Sequence, residues 1–203
     1  MNWQYFELIS VEFLKLSLFS CNNYPEVYIM EKERNLASIE EKAYQIRIKK
    51  EMTQKEFAKM LDVSISYVSN WENGYNEITI PLLNKICNTC DVSFDYMMGF
   101  SKKKNNTTKL VEVDKKYLGK RLKDIRRNEG LIQEKMAKRI NTYRFLISDY
   151  ETGRKSISTA DLKQICETFG YSADWCVGKI TECVRYKPVK KLKAREVKGL
   201  ISN

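Results

Sequence analysis

The sequence predicts an all-α protein in which one unit of about five short helices occurs twice. Three observations lead there. Glycine and proline number only 8 and 3 in 203 residues, hydrophobic residues make up 43% and charged residues 31%, which is the composition of folded, helix-rich material. Capping residues stand just ahead of segments whose apolar side chains recur at helical spacing. The chain also matches itself without a gap when shifted by 79 residues, the separation of Glu72 and Glu151. That register pairs Ile46 with Ile125, Arg47 with Arg126, Gln54 with Gln133, Ala58 with Ala137 and Lys59 with Lys138. It runs on through Ser69/Ser148, Gly74/Gly153, Ile78/Ile157, Leu83/Leu162, Ile86/Ile165, Cys87/Cys166, Asp95/Asp174 and Gly99/Gly178. Chance does not hold one register for so long, so the two stretches are read as copies of one unit.

In the first copy Thr53 caps a helix whose apolar face is Phe57, Ala58 and Leu61, and Glu56 completes a capping box. Asp62 falls where the chain must turn sharply and calls for a left-handed backbone, which Asp and Asn tolerate better than most residues. The second copy has Asn141 there. Ser64 caps the next helix, with Val68 and Trp71 inward and Ile65, Ser66, Ser69, Asn70 and Asn73 outward. Gly74 ends it. A helix from about Thr79 to Cys90 follows, with Leu82, Leu83 and Ile86 on one face, and a short one from Ser93 to Met98 stops at Gly99.

These elements divide the chain into an N-terminal extension (1–37), a first unit (38–99), a linker (100–115), a second unit (116–178) and a tail (179–203). Met30 looks like an ordinary start, so residues 1–29 read either as an over-extended reading frame or as an amphipathic helix that docks on a unit or a second chain. The apolar run from Tyr5 to Phe19 is broken by Glu7, Glu12 and Lys15, which argues against a membrane span or a signal peptide and for a cytoplasmic protein.

The net charge is +10 and the pI about 9.2, the sign that suits a phosphate-bearing partner, and equally a membrane surface or an acidic protein. Residues 100–121 and 179–203 each carry eight basic and two acidic side chains, so the excess lies in the linker and tail. The tail reads equally as a solvated end. There are six cysteines and no histidine. Cys87 and Cys90 form a C-x-x-C, but they match Cys166 and Phe169 in the repeat, which reads as core packing in a reducing compartment. No catalytic constellation, metal site or cofactor is expected, and the chain is read as a non-enzyme. Glu72 and Glu151 are read as structural partners of Arg47 and Arg126.

The stretch MTQKEFAKMLDVSISYVSNWENG resembles the helix-turn-helix of the phage Cro and lambda-repressor type, the XRE family. LGKRLKDIRRNEGLIQEKMAKRINTYRFLISDYETGRKSIS is similar to it as well. The resemblance implies two lambda-repressor-like domains in tandem, binding double-stranded DNA in a transcriptional regulator of the repressor type. It implies that Gln54 donates to a phosphate, that Ile65, Ser66, Ser69 and Asn70 face base edges, and that Asn73 reaches the adjoining DNA backbone. In the second copy it implies base reading by Arg144 and Ser148 and phosphate contacts from Gln133, Arg154 and Lys155. There Asp149 and Phe145 depart from the pattern, since Asp149 would face a negative surface. Two alternatives stay open: the second unit is a dimerisation or partner surface anchored by Phe145, or the chain is a protein-interaction module, such as the antitoxin half of a toxin–antitoxin pair, with the N-terminal segment as partner element. A homodimer and a pseudo-dimer within one chain are both compatible with the sequence.

Overall fold

Side-chain oxygens ahead of the apolar stretches start most of the helices. Ser38 opens the first, its hydroxyl accepting the Glu41 amide at 3.0 Å, and α1 runs Ile39–Lys49. The computed structural model describes residues 38–104 and 111–186, with strand residues 26–27 and 192–193; the 1–25 run, the Met30 start, residues 105–110 of the linker and the far tail lie outside the described residues. Thr53 and Glu56 form the capping box at the head of α2, Gln54–Leu61. Asp62 takes the left-handed conformation the turn demands (φ 50°, ψ 52°), as Asn141 does in the second copy (φ 54°). Ser64 caps α3, Ile65–Glu72; α4, Ile80–Cys90, carries Pro81 in its first turn; and α5, Phe94–Met98, stops at Gly99.

The second copy repeats the order: α6 Lys115–Asn128, α7 Gln133–Arg139, α8 Arg144–Thr152, α9 Thr159–Phe169 and α10 Ala173–Cys176. Helix α6 starts three residues ahead of its counterpart because Asp114 caps it upstream. Gly119 lets it lie close on α8: a Cβ there would stand 2.2 Å from the Tyr150 carbonyl oxygen. In the first copy the same position is Glu40, whose carboxylate instead accepts the Ile78 amide at 3.1 Å. Phe57, Leu61, Val68, Trp71, Leu83 and Ile86 fill the first core, and Leu122, Ile125, Met136, Ile147, Leu162 and Ile165 the second. The first and last helices of each copy are tied by a cation on an aromatic face: Lys42 on Tyr96, with its ammonium also donating to the Tyr96 carbonyl at 2.8 Å, and Arg121 on Trp175.

All ten helices belong to one compact unit, residues 32–189. Within it the copies join through α5 and α10. The Asp174 carboxylate accepts the Phe94 amide at 3.0 Å and the Asp95 amide at 3.1 Å. Asp95 returns the contact, accepting the Ala173 amide at 2.7 Å and the Ser172 hydroxyl at 2.6 Å. Equivalent groups thus exchange partners, which is the signature of a two-fold relation between the copies. Thr159 adds a hydrogen bond to the Ile78 carbonyl at 2.9 Å, and the Lys179 ammonium one to Asn88. The start of the tail is part of this structure: Val184 accepts the Ser172 amide, Tyr186 donates its amide to Gly170, and the Tyr186 hydroxyl reaches Asp95 at 3.0 Å. A separate unit, Met1–Glu31 with Lys190–Asn203, holds an antiparallel pair that the sequence reading had no sign of, β1 Glu26–Val27 against β2 Leu192–Lys193.

Burial and the facing Asp174 carboxylate raise the Asp95 carboxyl to about 7, against the pull of the Ser172 and Ala173 donors. Between its ordinary value and about 7 the folded chain holds a proton that the unfolded chain releases. The stability this site supplies is therefore greatest at acidic pH and falls as pH rises through about 7. No histidine titrates in the same window. Thermal melts from pH 5 to 8 should show the wild-type midpoint falling, and Asp95→Asn, neutral throughout, should fall less; equal slopes would remove the proton from Asp95.

Candidate nucleic-acid interface

Helix α3 is set in place by a buried ion pair. The Arg47 guanidinium, from α1, meets Glu72 at the end of α3 in two-pronged fashion, Nε to Oε1 at 2.6 Å and Nη2 to Oε2 at 2.8 Å, and Nη1 donates to the Met52 carbonyl at 2.8 Å. Gln54, at the start of α2, donates its amide to the same carboxylate at 2.8 Å. One carboxylate therefore holds three helices. The second copy repeats it: Arg126 pairs with both oxygens of Glu151 and donates to the Leu131 carbonyl, and Gln133 reaches Glu151 at 3.0 Å. These are the Arg–Glu pairs anticipated from the repeat. All four side chains are at least about seven-eighths buried, Arg126 being the most exposed at 13%.

With its inner face fixed by Val68 and Trp71, α3 exposes Ile65 and Ser66 and leaves Ser69 and Asn70 half-buried beside them. Ser66 shares a 3.0 Å hydroxyl contact with Ser64, and Asn73, the C-cap, donates to the Ser69 carbonyl at 2.8 Å. The Asn70 amide is given no protein partner among the described residues, so both its donor and its acceptor are available. The structure thus gathers Ile65, Ser66, Ser69, Asn70 and Asn73 on one helix. Gln54 lies at the head of the preceding helix with one amide hydrogen spent on Glu72 and one left over.

On α8, Arg144 is exposed and Ser148 half-buried. Asp149 does not stand as a bare negative charge: Arg154 Nε donates to it at 2.8 Å, and the same guanidinium reaches the Ser148 hydroxyl at 3.3 Å. Arg154 and Ser148 are therefore partly committed to each other, while Lys155 is exposed. Tyr143 and Phe145, 69% and 61% exposed, stack with ring centroids 5.5 Å apart and planes 18° from parallel. Sequence reasoning flagged Phe145 and missed Tyr143. The signal was present in the repeat: Ile132 and Tyr143 replace the caps Thr53 and Ser64, and neither caps its helix. Two cations of the basic tail are also engaged within the chain, Lys179 by burial and Arg185, half exposed, on Glu129 at 2.7 Å. Cys87 lies in the core, where burial pushes its thiol up, and no cluster of metal-ligating side chains occurs among the described residues.

Removing Glu72 strands a buried guanidinium, an outcome that costs about 3–5 kcal/mol in other buried pairs. Chemical denaturation of Glu72→Ala, Arg47→Ala and the double variant should give a double loss well below the sum of the single losses. Additive losses would show that the pair does not act as one.

A family profile described as helix-turn-helix matches residues 44–97, and a second, described as helix-turn-helix domain, matches residues 119–180. No curated protein matches the chain. No helix among the described residues is long and apolar enough to cross a membrane. The matched spans reach into each of the ten described helices and include both Arg–Glu clamps, and the chain carries two DNA-binding helix-turn-helix domains of the XRE, lambda-repressor-like type in tandem.

Proposed function

We propose that the protein is a transcriptional regulator of the repressor type that occupies one specific site on double-stranded DNA, with α3 laid in a major groove. The observation that carries this is the outer face of α3, where Asn70 keeps a free donor and acceptor beside Ile65, Ser66 and Ser69 on a helix locked by the Arg47–Glu72–Gln54 clamp. A major groove about 12 Å wide admits one helix, and an amide can meet the adenine edge with both of its hydrogen-bonding atoms. Gln54 and Asn73 lie at the two ends of this arrangement, where a DNA backbone would run, and Gln133, Lys155 and the unspent part of Arg154 offer the same in the second domain. Arg144 is the guanine reader there. Nothing in the described residues supplies a reason to favour the antitoxin reading over this one.

Selection of bound sequences from random duplexes tests it. The wild-type protein should enrich a defined site, and Asn70→Ala should lose preference at one position by about 5–150-fold while binding non-specific DNA as before. The affinity should also fall steeply with salt, by about 0.9 log units per log unit for each phosphate contacted. Failure to enrich any site would refute the proposal.

A further inference from the structure

We infer that the second domain reads thymine methyl groups through the stacked rings of Tyr143 and Phe145, so that one chain carries two unlike reading heads. This rests on the DNA-binding reading above and names what the second head recognises. Phe145 occupies the repeat position of Ser66, on the outward face at the start of the reading helix, and Tyr143 that of the Ser64 cap. Replacing a cap by an aromatic residue forgoes a hydrogen bond to the helix, so the exposed rings are not there to stabilise α8. Neither ring is taken up by the core.

A phenyl ring cannot answer a donor or an acceptor. Of the groups that bases present in the major groove, the thymine C5-methyl is the apolar one, and aromatic side chains meet it by contact. The mutual stacking of Tyr143 and Phe145 holds both rings in one orientation before any partner arrives, which lowers the entropy lost on binding. The charges around them fit a nucleic acid. Arg144 lies between the two in sequence and is exposed, Lys155 is exposed, and the one carboxylate on the outer face of α8 that would repel phosphate, Asp149, is neutralised by Arg154. An acidic surface beside the rings would have favoured a protein partner with basic groups; the cations favour DNA. The first domain has the hydroxyls of Ser64 and Ser66 at the positions of the two rings, with the aliphatic Ile65 between them where the second domain has Arg144, so the two reading heads differ in chemistry.

Deoxyuridine in place of thymidine removes the methyl and leaves every hydrogen-bonding edge intact. Made only in the half of the selected duplex that faces the second domain, this exchange should weaken binding by about fourfold for each methyl contacted. Phe145→Ser should bind the thymine and uracil duplexes alike, Phe145→Leu should keep part of the difference, and Asn70→Ala should keep all of it. Because Phe145 is exposed, the melting points of its variants should stay near that of the wild type. A wild-type protein indifferent to uracil, or a Phe145→Ser protein still sensitive to it, overturns the inference while leaving site-specific binding in place. A Phe145→Ser protein that binds the thymine duplex as tightly as the wild type also overturns it and would mark the rings as a protein-contact surface. If the wild type selects no site, this inference falls together with the proposed function.

Discussion

The amides in the first turn of a helix have no partner within the helix, and here those of α5 and α10 are each given to a carboxylate of the other domain. Asp95 caps the helix that carries Asp174, and Asp174 caps the helix that carries Asp95. Everything larger in the structure depends on this exchange. It converts two small domains, each with a modest core, into one body, and it fixes α3 and α8 in a two-fold relation without a second chain. Thr159, Lys179 and Tyr186 add further hydrogen bonds between the two copies, the last of them to Asp95 itself.

Such an arrangement has an electrostatic cost, because two buried carboxylates face each other. The fold meets it partly with amide and hydroxyl donors and partly with a proton on Asp95. The inner clamps work differently. Arg47–Glu72 and Arg126–Glu151 bring opposite charges together in two-pronged geometry, with Gln54 and Gln133 each adding a third donor to the carboxylate. Helices α3 and α8 are thereby each held to the first helix of their own domain by charge attraction, and the domains are held to each other by shared caps. The two devices are independent, so the outward faces of α3 and α8 are free to diverge. They have done so: one carries Ile65 beside hydroxyls and an amide, the other a guanidinium and stacked rings.

Much of this was legible in the sequence wherever a local rule decides. The caps Thr53 and Ser64, the left-handed Asp62 and Asn141 and the stop at Gly99 follow from backbone sterics and unpaired helix amides, and each is found. The Arg–Glu clamps were readable because the repeat preserved both partners. Asp95 and Asp174 stood in the same repeat and revealed nothing, since a contact between copies is not a property of either copy alone. The pairing of Arg154 with Asp149 was hidden for a related reason: composition assigns both charges to the surface, and only the turn after α8 brings them within 2.8 Å. The basic composition of the tail suits a solvated end, yet Lys179 and Arg185 find partners that lie far off in sequence.

Amide hydrogen exchange at Phe94 and Ala173 addresses the shared caps most directly. First-turn amides of exposed helices exchange rapidly, whereas amides closed into a core exchange only when the fold opens. If the reciprocal carboxylates join the domains as described, both amides will be protected to the level of core positions such as Leu83 and Ile165. Fast exchange at Phe94 and Ala173 beneath a protected core would show two domains that merely share a chain.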